Sequence, residues 1–271
     1  MDKSRRDALK KIGCAAAGLG CLPITGCIDL SYEPEPQGGR RQLAMVIDIA
    51  KVDDDVAHAC IEACHHAHNV PASDSPQRQV KWVWQEHFKQ AFPDQAHSRM
   101  AEGYDDLPVL LMCNHCDTPA CVKVCPTAAT WKRKSDGIVM MDMHRCIGCR
   151  YCVVACPYGS RSFNWSDPDE RFINTDFPSR SRGVVEKCNF CAERLRVGEE
   201  PLCVAAARDA AGGVGALTFG DLADPDSEVS RILREKHTIT RKNALGTGPN
   251  VYYILPDSAD ARESHDMGSE S

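Results

Sequence analysis

Hydrophobic and polar positions divide the chain into four stretches. An apolar run over residues 12–26, broken by one proline, follows a basic stretch at the very start. At 15 residues it falls short of the roughly 20 needed to cross a bilayer as a helix, and no longer apolar run occurs elsewhere. Residues 28–41 are a polar linker rich in proline and glycine. "MVIDI", from Met45, alternates as a short strand and opens a body over residues 42–255. Within that body "TWKRKSDGIVMMD" reads as a β-hairpin turning at Ser135-Asp136-Gly137. Residues 71–106 form an insertion containing "KWVWQEHFKQAF", and long insertions in compact folds tend to carry function or an interface. Trp82, Trp84 and Phe88 there have two readings, docking to a partner or packing a local core. Residues 256–271 are a polar tail with the composition of disorder.

Composition changes this picture in two ways. Aromatic residues make up only 6% of the 271 while cysteine reaches 16, far above ordinary usage, so something other than aromatic packing organises the interior. The net charge of −6 gives no support for nucleic-acid binding, which needs a basic patch or stripe. Positive charge concentrates before residue 27 and the body is acidic.

The start fits an export signal. Paired Arg5 and Arg6 after Ser4, with Leu9 and Lys10 following, resemble a twin-arginine signal, read by a translocase that carries folded, cofactor-loaded proteins. Ala8 stands where Phe is usual. "ITGC" ending at Cys27 resembles a lipoprotein cleavage box; the other reading is a plain small-residue cleavage region. Either places the body outside the cytoplasm, periplasmic or on the outer membrane face.

The cysteines of the body fall in tight groups, unlike a disulfide scaffold. "CNHCDTPACVKVCP" holds Cys113, Cys116, Cys121 and Cys125; "CIGCRYCVVACP" holds Cys146, Cys149, Cys152 and Cys156. The second is the bacterial ferredoxin run for a [4Fe-4S] cluster, with its closing Pro157. Three thiolates on a tight loop wrap one cluster while the fourth ligates the other. This gives set A, Cys113, Cys116, Cys121 and Cys156, and set B, Cys125, Cys146, Cys149 and Cys152. Zinc is the alternative for paired C-x2-C units, disfavoured by the complete ferredoxin run. A third group, "CNFCAERLRVGEEPLC", supplies Cys188, Cys191 and Cys203, and "HACIEACHHAHNVP" supplies Cys60 and Cys64 beside His65, His66 and His68. The histidines read as solvated side chains and His115 as a residue tuning its surroundings.

From Met45 to Ile254 the chain resembles the four-motif ferredoxin subunits of exported or membrane-anchored respiratory complexes, a group that includes the iron-sulfur subunits of dimethyl sulfoxide, polysulfide and nitrite reductases. "CPYGSRSFNWSDP", "RGVVEKCNFCAERL" and "GALTFGDLADPDSEV" are similar to the DsrO-type subunit of the Dsr transmembrane complex, DsrMKJOP-like, of sulfur metabolism. The resemblance implies an α+β fold of duplicated bacterial-ferredoxin-like halves, the second motif pairing with the third and the first with the fourth. Each motif should give a loop and a short helix. It implies set C, Cys64, Cys188, Cys191 and Cys203. It also implies a vacated fourth site. There Asp54 or Val52 and Ala57 or Val56 replace two ligands, Cys60 survives as a buried small residue, and Ala207 stands where the last cysteine would be. Three [4Fe-4S] clusters are expected, in the order C, B, A, with A nearest a membrane partner.

No Ser/His/Asp or phosphate-loop pattern occurs, and Gly212-Gly213-x-Gly215 lacks the strand and spacing of a dinucleotide site. The function implied is an electron-transfer subunit without a small-molecule substrate. It would relay single electrons between an NrfD-like quinone-reactive membrane subunit and a multihaem cytochrome c or other redox partner. The alternatives are the electron subunit of a molybdopterin oxidoreductase and a zinc- or disulfide-stapled interaction protein.

Overall fold

The computed structural model describes residues 39–73, 75–97, 104–167, 174–178 and 180–256. The export signal with Cys27, most of the linker and all but the first residue of the tail lie outside them.

The expected first strand is β1, Leu43–Asp48, and it is central to the main sheet. The other strands of that sheet are β8 (Leu217–Asp221), β9 (Thr238–Ile239) and β10 (Val251–Ile254), in the order β8-β1-β10-β9. β1 runs antiparallel to β8, with Met45 opposite Phe219, and parallel to β10, with Met45 opposite Val251. Every residue of β1 is buried because both faces of the sheet are covered. Ala44 and Val46 pack against Val229 of α7 (Glu228–Glu235), while Met45 and Ile47 join the main core.

That core is closed by two helices. α1, Asp54–Ala67, starts where the Asp53 carboxylate accepts the Val56 N–H at 2.8 Å, and Asp54 and Asp55 favour the positive end of the helix dipole. Val56, Ala57, Cys60 and Cys64 recur at helical spacing and are its buried residues. They pack against α6, Leu202–Asp209, where Cys203, Val204 and Ala207 are buried. Short helices follow the other cysteine loops as expected: α3 (Ala120–Lys123), α4 (Tyr151–Ala155) and α5 (Ala192–Leu195). The first motif departs from that expectation, since its 14-residue helix begins where a cysteine loop would have been.

The hairpin is present as β4 (Thr130–Lys132) and β5 (Val139–Met141), with Gly137 at φ 76° in its turn. The insertion is structural. It supplies β2 (Val83–His87), which pairs antiparallel with β3 (Pro108–Met112), and α2 (Phe88–Ala91). Trp82 and Phe88 are 1% and 2% exposed and Trp84 is buried, so the three aromatics are core and not a docking surface.

Trp82 also anchors the remaining short ladder, β6 (Ser162–Phe163) with β7 (Val185–Glu186). Its indole N–H donates to Glu186 at 3.1 Å; the same carboxylate accepts from Arg180, whose guanidinium also donates to the His68 carbonyl. Both charged side chains are at most 1% exposed. Arg180→Met leaves Glu186 charged and buried with a single donor. Loss of one partner of a buried pair costs about 3–5 kcal/mol, so a clear fall in the thermal unfolding midpoint is expected, and an unchanged midpoint would contradict the role given to the pair.

Candidate metal centres

Two of the cysteine loops are built alike. β3 runs directly into Cys113-Asn114-His115-Cys116, and β7 leads through Lys187 into Cys188-Asn189-Phe190-Cys191. In each the third residue takes the left-handed conformation, His115 at φ 42° and Phe190 at φ 55°, which turns the backbone sharply between the two thiols. The loops meet at those positions: the rings stack with centroids 3.7 Å apart and planes at 22°.

Set C gathers thiols from distant parts of the chain. The Cys64 sulfur lies 3.6 Å from the His68 ring, whose nitrogen comes within 4.8 Å of the Cys191 sulfur, and α1 packs on the helix that carries Cys203; burial, then the charges of Cys188, Cys191 and Cys203, raise Cys64 well above its ordinary value. Cys188 is pushed up to about 12 by burial and then by Cys113. In set A, burial and then Cys113, with Cys121 and Cys156 adding, push Cys116 up to about 12. Cys156 is raised by burial and then by Cys113 and Cys121 of the preceding motif. In set B Cys125, Cys146 and Cys149 are half-buried, as Cys116, Cys121 and Cys156 are in set A, and the exposed side chains of Ile147, Tyr151 and Val154 lie along its loop. Burial raises Cys152, and Cys121 and Cys146 add to it. At Cys125 the upward push of burial is outweighed by hydrogen bonds from the Thr127 hydroxyl and the backbone of Thr127, Ala129 and Thr130, and the thiol is lowered.

The order of the sets departs from the expected one. Cys188 of set C feels Cys113 of set A, and Lys187 feels Cys113, Cys188 and Cys121 together. Cys152 of set B in turn feels Cys121. The His115–Phe190 stack joins the Cys113–Cys116 loop of set A to the Cys188–Cys191 loop of set C, and sets A and B share their two motifs, so A lies between C and B. Cysteine spacing records which thiols share a loop but not which loops are neighbours.

Two buried cations sit among these thiols. Arg161 donates to the Cys121 sulfur at 3.1 Å and to the Thr130 hydroxyl at 2.7 Å, and the thiolates around it outweigh the downward effect of burial on its own pKa. Lys187, 2% exposed, donates to the Cys188 carbonyl at 2.7 Å and to the Val139 carbonyl. Backbone N–H groups of Phe190 and Leu202 donate to the sulfurs of Cys188 and Cys191, each at 3.4 Å. Both side-chain polar atoms of Asn114 are buried with no protein partner, a deficit of about 1–3 kcal/mol each unless a ligand meets it.

All thirteen described cysteines are free thiols. Converging thiols, N–H donors aimed at sulfur, buried cations and orphaned polar atoms fit thiolate-held clusters, in which hydrogen bonds to sulfur are part of the site.

Cys60 is fully buried, and its sulfur donates to the Cys203 carbonyl at 3.2 Å instead of facing an open site. Val52, Val56, Ala57 and Ala207 are buried around it. The turn after α6 closes over them: a Cβ on Gly213 would lie 2.1 Å from the Ala207 carbonyl oxygen and 3.0 Å from Val56. Of the three glycines that resembled a dinucleotide fingerprint, Gly213 serves this close approach.

The three histidines separate. His66 is exposed, and His65 Nε2 lies 3.0 Å from the Val83 carbonyl. His68 is buried, contrary to the solvated reading. It stacks on Trp82 at 4.5 Å, with its nitrogens 2.8 Å from the Cys64 carbonyl and 2.8 Å from Glu193. Helical position, four residues after Cys64, was the signal available for that burial. Sequence reasoning passed over Arg161 and Lys187, because an isolated Arg or Lys carries no spacing signature.

The fold and the thiol sets define a ferredoxin-like iron-sulfur protein with duplicated cysteine loops. Residues 108–171 match the model of the 4Fe-4S dicluster domain. The Hdr-like menaquinol oxidoreductase iron-sulfur subunit 1 of Archaeoglobus fulgidus is 40% identical over 92% of this chain and 97% of its own length. One tetrathionate reductase subunit, from Salmonella typhimurium, is 33% identical over 96% of this chain and 91% of its own. The menaquinone reductase iron-sulfur cluster-binding subunit of Nitratidesulfovibrio vulgaris is 34% identical over 78% of this chain and 87% of its own. The chain belongs to this family of iron-sulfur electron-transfer subunits of respiratory oxidoreductases and binds [4Fe-4S] clusters.

Arg161→Met removes the cation beside Cys121. The reduced form of a cluster is the more negative one, so the change should lower the reduction potential of the cluster held there, measured by redox titration under electron paramagnetic resonance. An unchanged potential would mean that Arg161 only packs.

Proposed function

We propose that the chain carries three [4Fe-4S] clusters, on sets A, B and C, and relays single electrons in the order C, A, B or its reverse. The observation that carries this is the convergence of Cys64, from α1, with Cys188, Cys191 and Cys203, while α1 and the Gly213 turn occupy the fourth position with apolar side chains. The protein's own residues hold the thiol sets and keep the Arg161 and Lys187 side chains among them. The clusters supply one-electron redox chemistry.

The partners follow from surface and kinship. Val124, Ile147, Tyr151 and Val154 are exposed apolar side chains in or beside the loops of set B, Val154 at 87%. An NrfD-like quinone-reactive membrane subunit would dock over this rim, next to B and not A. Relatives named as menaquinol oxidoreductase and menaquinone reductase subunits support a quinone link. The other end would meet a multihaem cytochrome c or another redox subunit in sulfur metabolism, as in a DsrO-type assembly. The Arg5-Arg6 signal would export the loaded protein to the outer face of the membrane, with Cys27 as the residue to lipidate.

The rival reading, the electron subunit of a molybdopterin oxidoreductase, is favoured by the likeness to the tetrathionate reductase relative. It requires a fourth cluster. Anaerobically purified protein should hold about 12 iron atoms, four per cluster, and about 16 would sink the three-cluster reading. Cys64→Ala should abolish the signal of cluster C alone; loss of another signal would show that the ligand exchange is wrong. Val154→Glu should leave iron content unchanged and weaken co-purification with the membrane subunit at least tenfold, about 1.4 kcal/mol. Full retention of the partner would remove this rim from consideration.

A further inference from the structure

A pair of buried hydroxyls lies between two ligands of set A. Tyr158 follows Cys156 by two residues, and its backbone N–H donates to the Cys156 sulfur. Its phenol is buried and hydrogen-bonded to the Thr247 hydroxyl. Thr247 belongs to the loop before β10, and two backbone bonds set it beside Cys116. The Asp117 N–H donates to the Gly248 carbonyl at 2.8 Å, and the Thr118 N–H to the Thr247 carbonyl at 2.9 Å. Glycine permits this approach, since Gly248 lies at φ 63° and a Cβ there would stand 2.9 Å from the Asp117 Cβ.

Proton counting gives the pair a direction. Two hydroxyls carry two protons, and the bond between them uses one. The other goes to the Cys116 sulfur, which accepts from the Thr247 hydroxyl. Tyr158 is then the donor to Thr247, and the chain runs from phenol to hydroxyl to thiolate. Buried Arg241 acts at the far end: its guanidinium lies 5.7 Å from the centre of the Tyr158 ring and donates to the Tyr158 carbonyl at 3.3 Å. A cation beside the phenol favours its role as donor, and a hydroxyl that accepts one hydrogen bond donates a stronger one.

Resting on the three-cluster reading above, we propose that Thr247 donates to the Cys116 thiolate of cluster A, that Tyr158 is a positioning residue fixing the direction of that donor, and that together they raise the reduction potential of A. Hydrogen bonds to sulfur stabilise the more negative, reduced form of a cluster. The middle station of the relay is thereby set by a residue more than a hundred positions beyond the cysteine it serves.

The test uses full-length protein purified anaerobically as wild type, T247V, T247S, Y158F and the Y158F/T247V double variant. Iron and sulfide are assayed, and each cluster is titrated under electron paramagnetic resonance. T247V keeps the shape of the side chain and should keep its iron. At a fixed applied potential it should show about a tenfold lower reduced-to-oxidised ratio for cluster A, 59 mV for one electron, with B and C unmoved. T247S retains the hydroxyl and should recover most of the shift. Y158F leaves Thr247 undirected and should move A the same way by a smaller factor. The double variant should move A no further than T247V alone, since Tyr158 acts through Thr247.

Iron-replete T247V with an unshifted A overturns the proposal, as does an equal shift in T247S or an equal shift in B or C. A double variant whose shift is the sum of the two single ones overturns the role given to Tyr158. If T247V loses iron, T247A repeats the titration without a donor; loss there too counts against the proposal, because a tuning donor is not needed for assembly. A wild type lacking iron and sulfide overturns the three-cluster reading instead.

Discussion

Buried thiols that repel one another are the constraint on which this structure depends. Cys64, Cys188 and Cys203 are each raised by burial and then by a neighbouring cysteine, so without a bound cation the set resists ionisation. A cluster core removes that penalty, and binding free energy of this kind becomes folding free energy. Arg161 and Lys187 belong to the same balance, held inside the protein among sulfurs. The long-range closures, α1 onto α6 and β3 beside β2, bring the ligand-bearing loops together.

Around Cys60 the chain is held by apolar packing. The chain there is helix, and Asp53 starts it with an ordinary cap. α1 presents Val56, Ala57 and Cys60 to α6, and apolar packing stabilises the pair of helices. Gly213 completes the seal, since any side chain there would strike the Ala207 carbonyl. The Cys60 thiol is satisfied by the Cys203 carbonyl.

Neighbouring loops and exposed side chains distinguish the sets. A and C share a junction through the His115–Phe190 stack, and B faces outward with apolar side chains around it. An electron relay needs this arrangement: an interior that keeps clusters dry and near each other, and an end near enough to the surface for a partner to reach.

Much of this could be read from the chain alone. The ferredoxin run from Cys146 to Cys156, the strand at Met45 and the hairpin across Gly137 are local patterns, because loop ligation, alternation and left-handed turns are decided within a few residues. The four-motif likeness carried the grouping of Cys64 with Cys188, Cys191 and Cys203. Tertiary structure decided what depends on distant neighbours. Trp82 and Phe88 became core because β2 pairs with β3, and His68 became buried because Trp82 and Glu193 close over it. The order of the sets also belongs to the fold. Which loops abut depends on how the two halves pack together, and no spacing between cysteines encodes that.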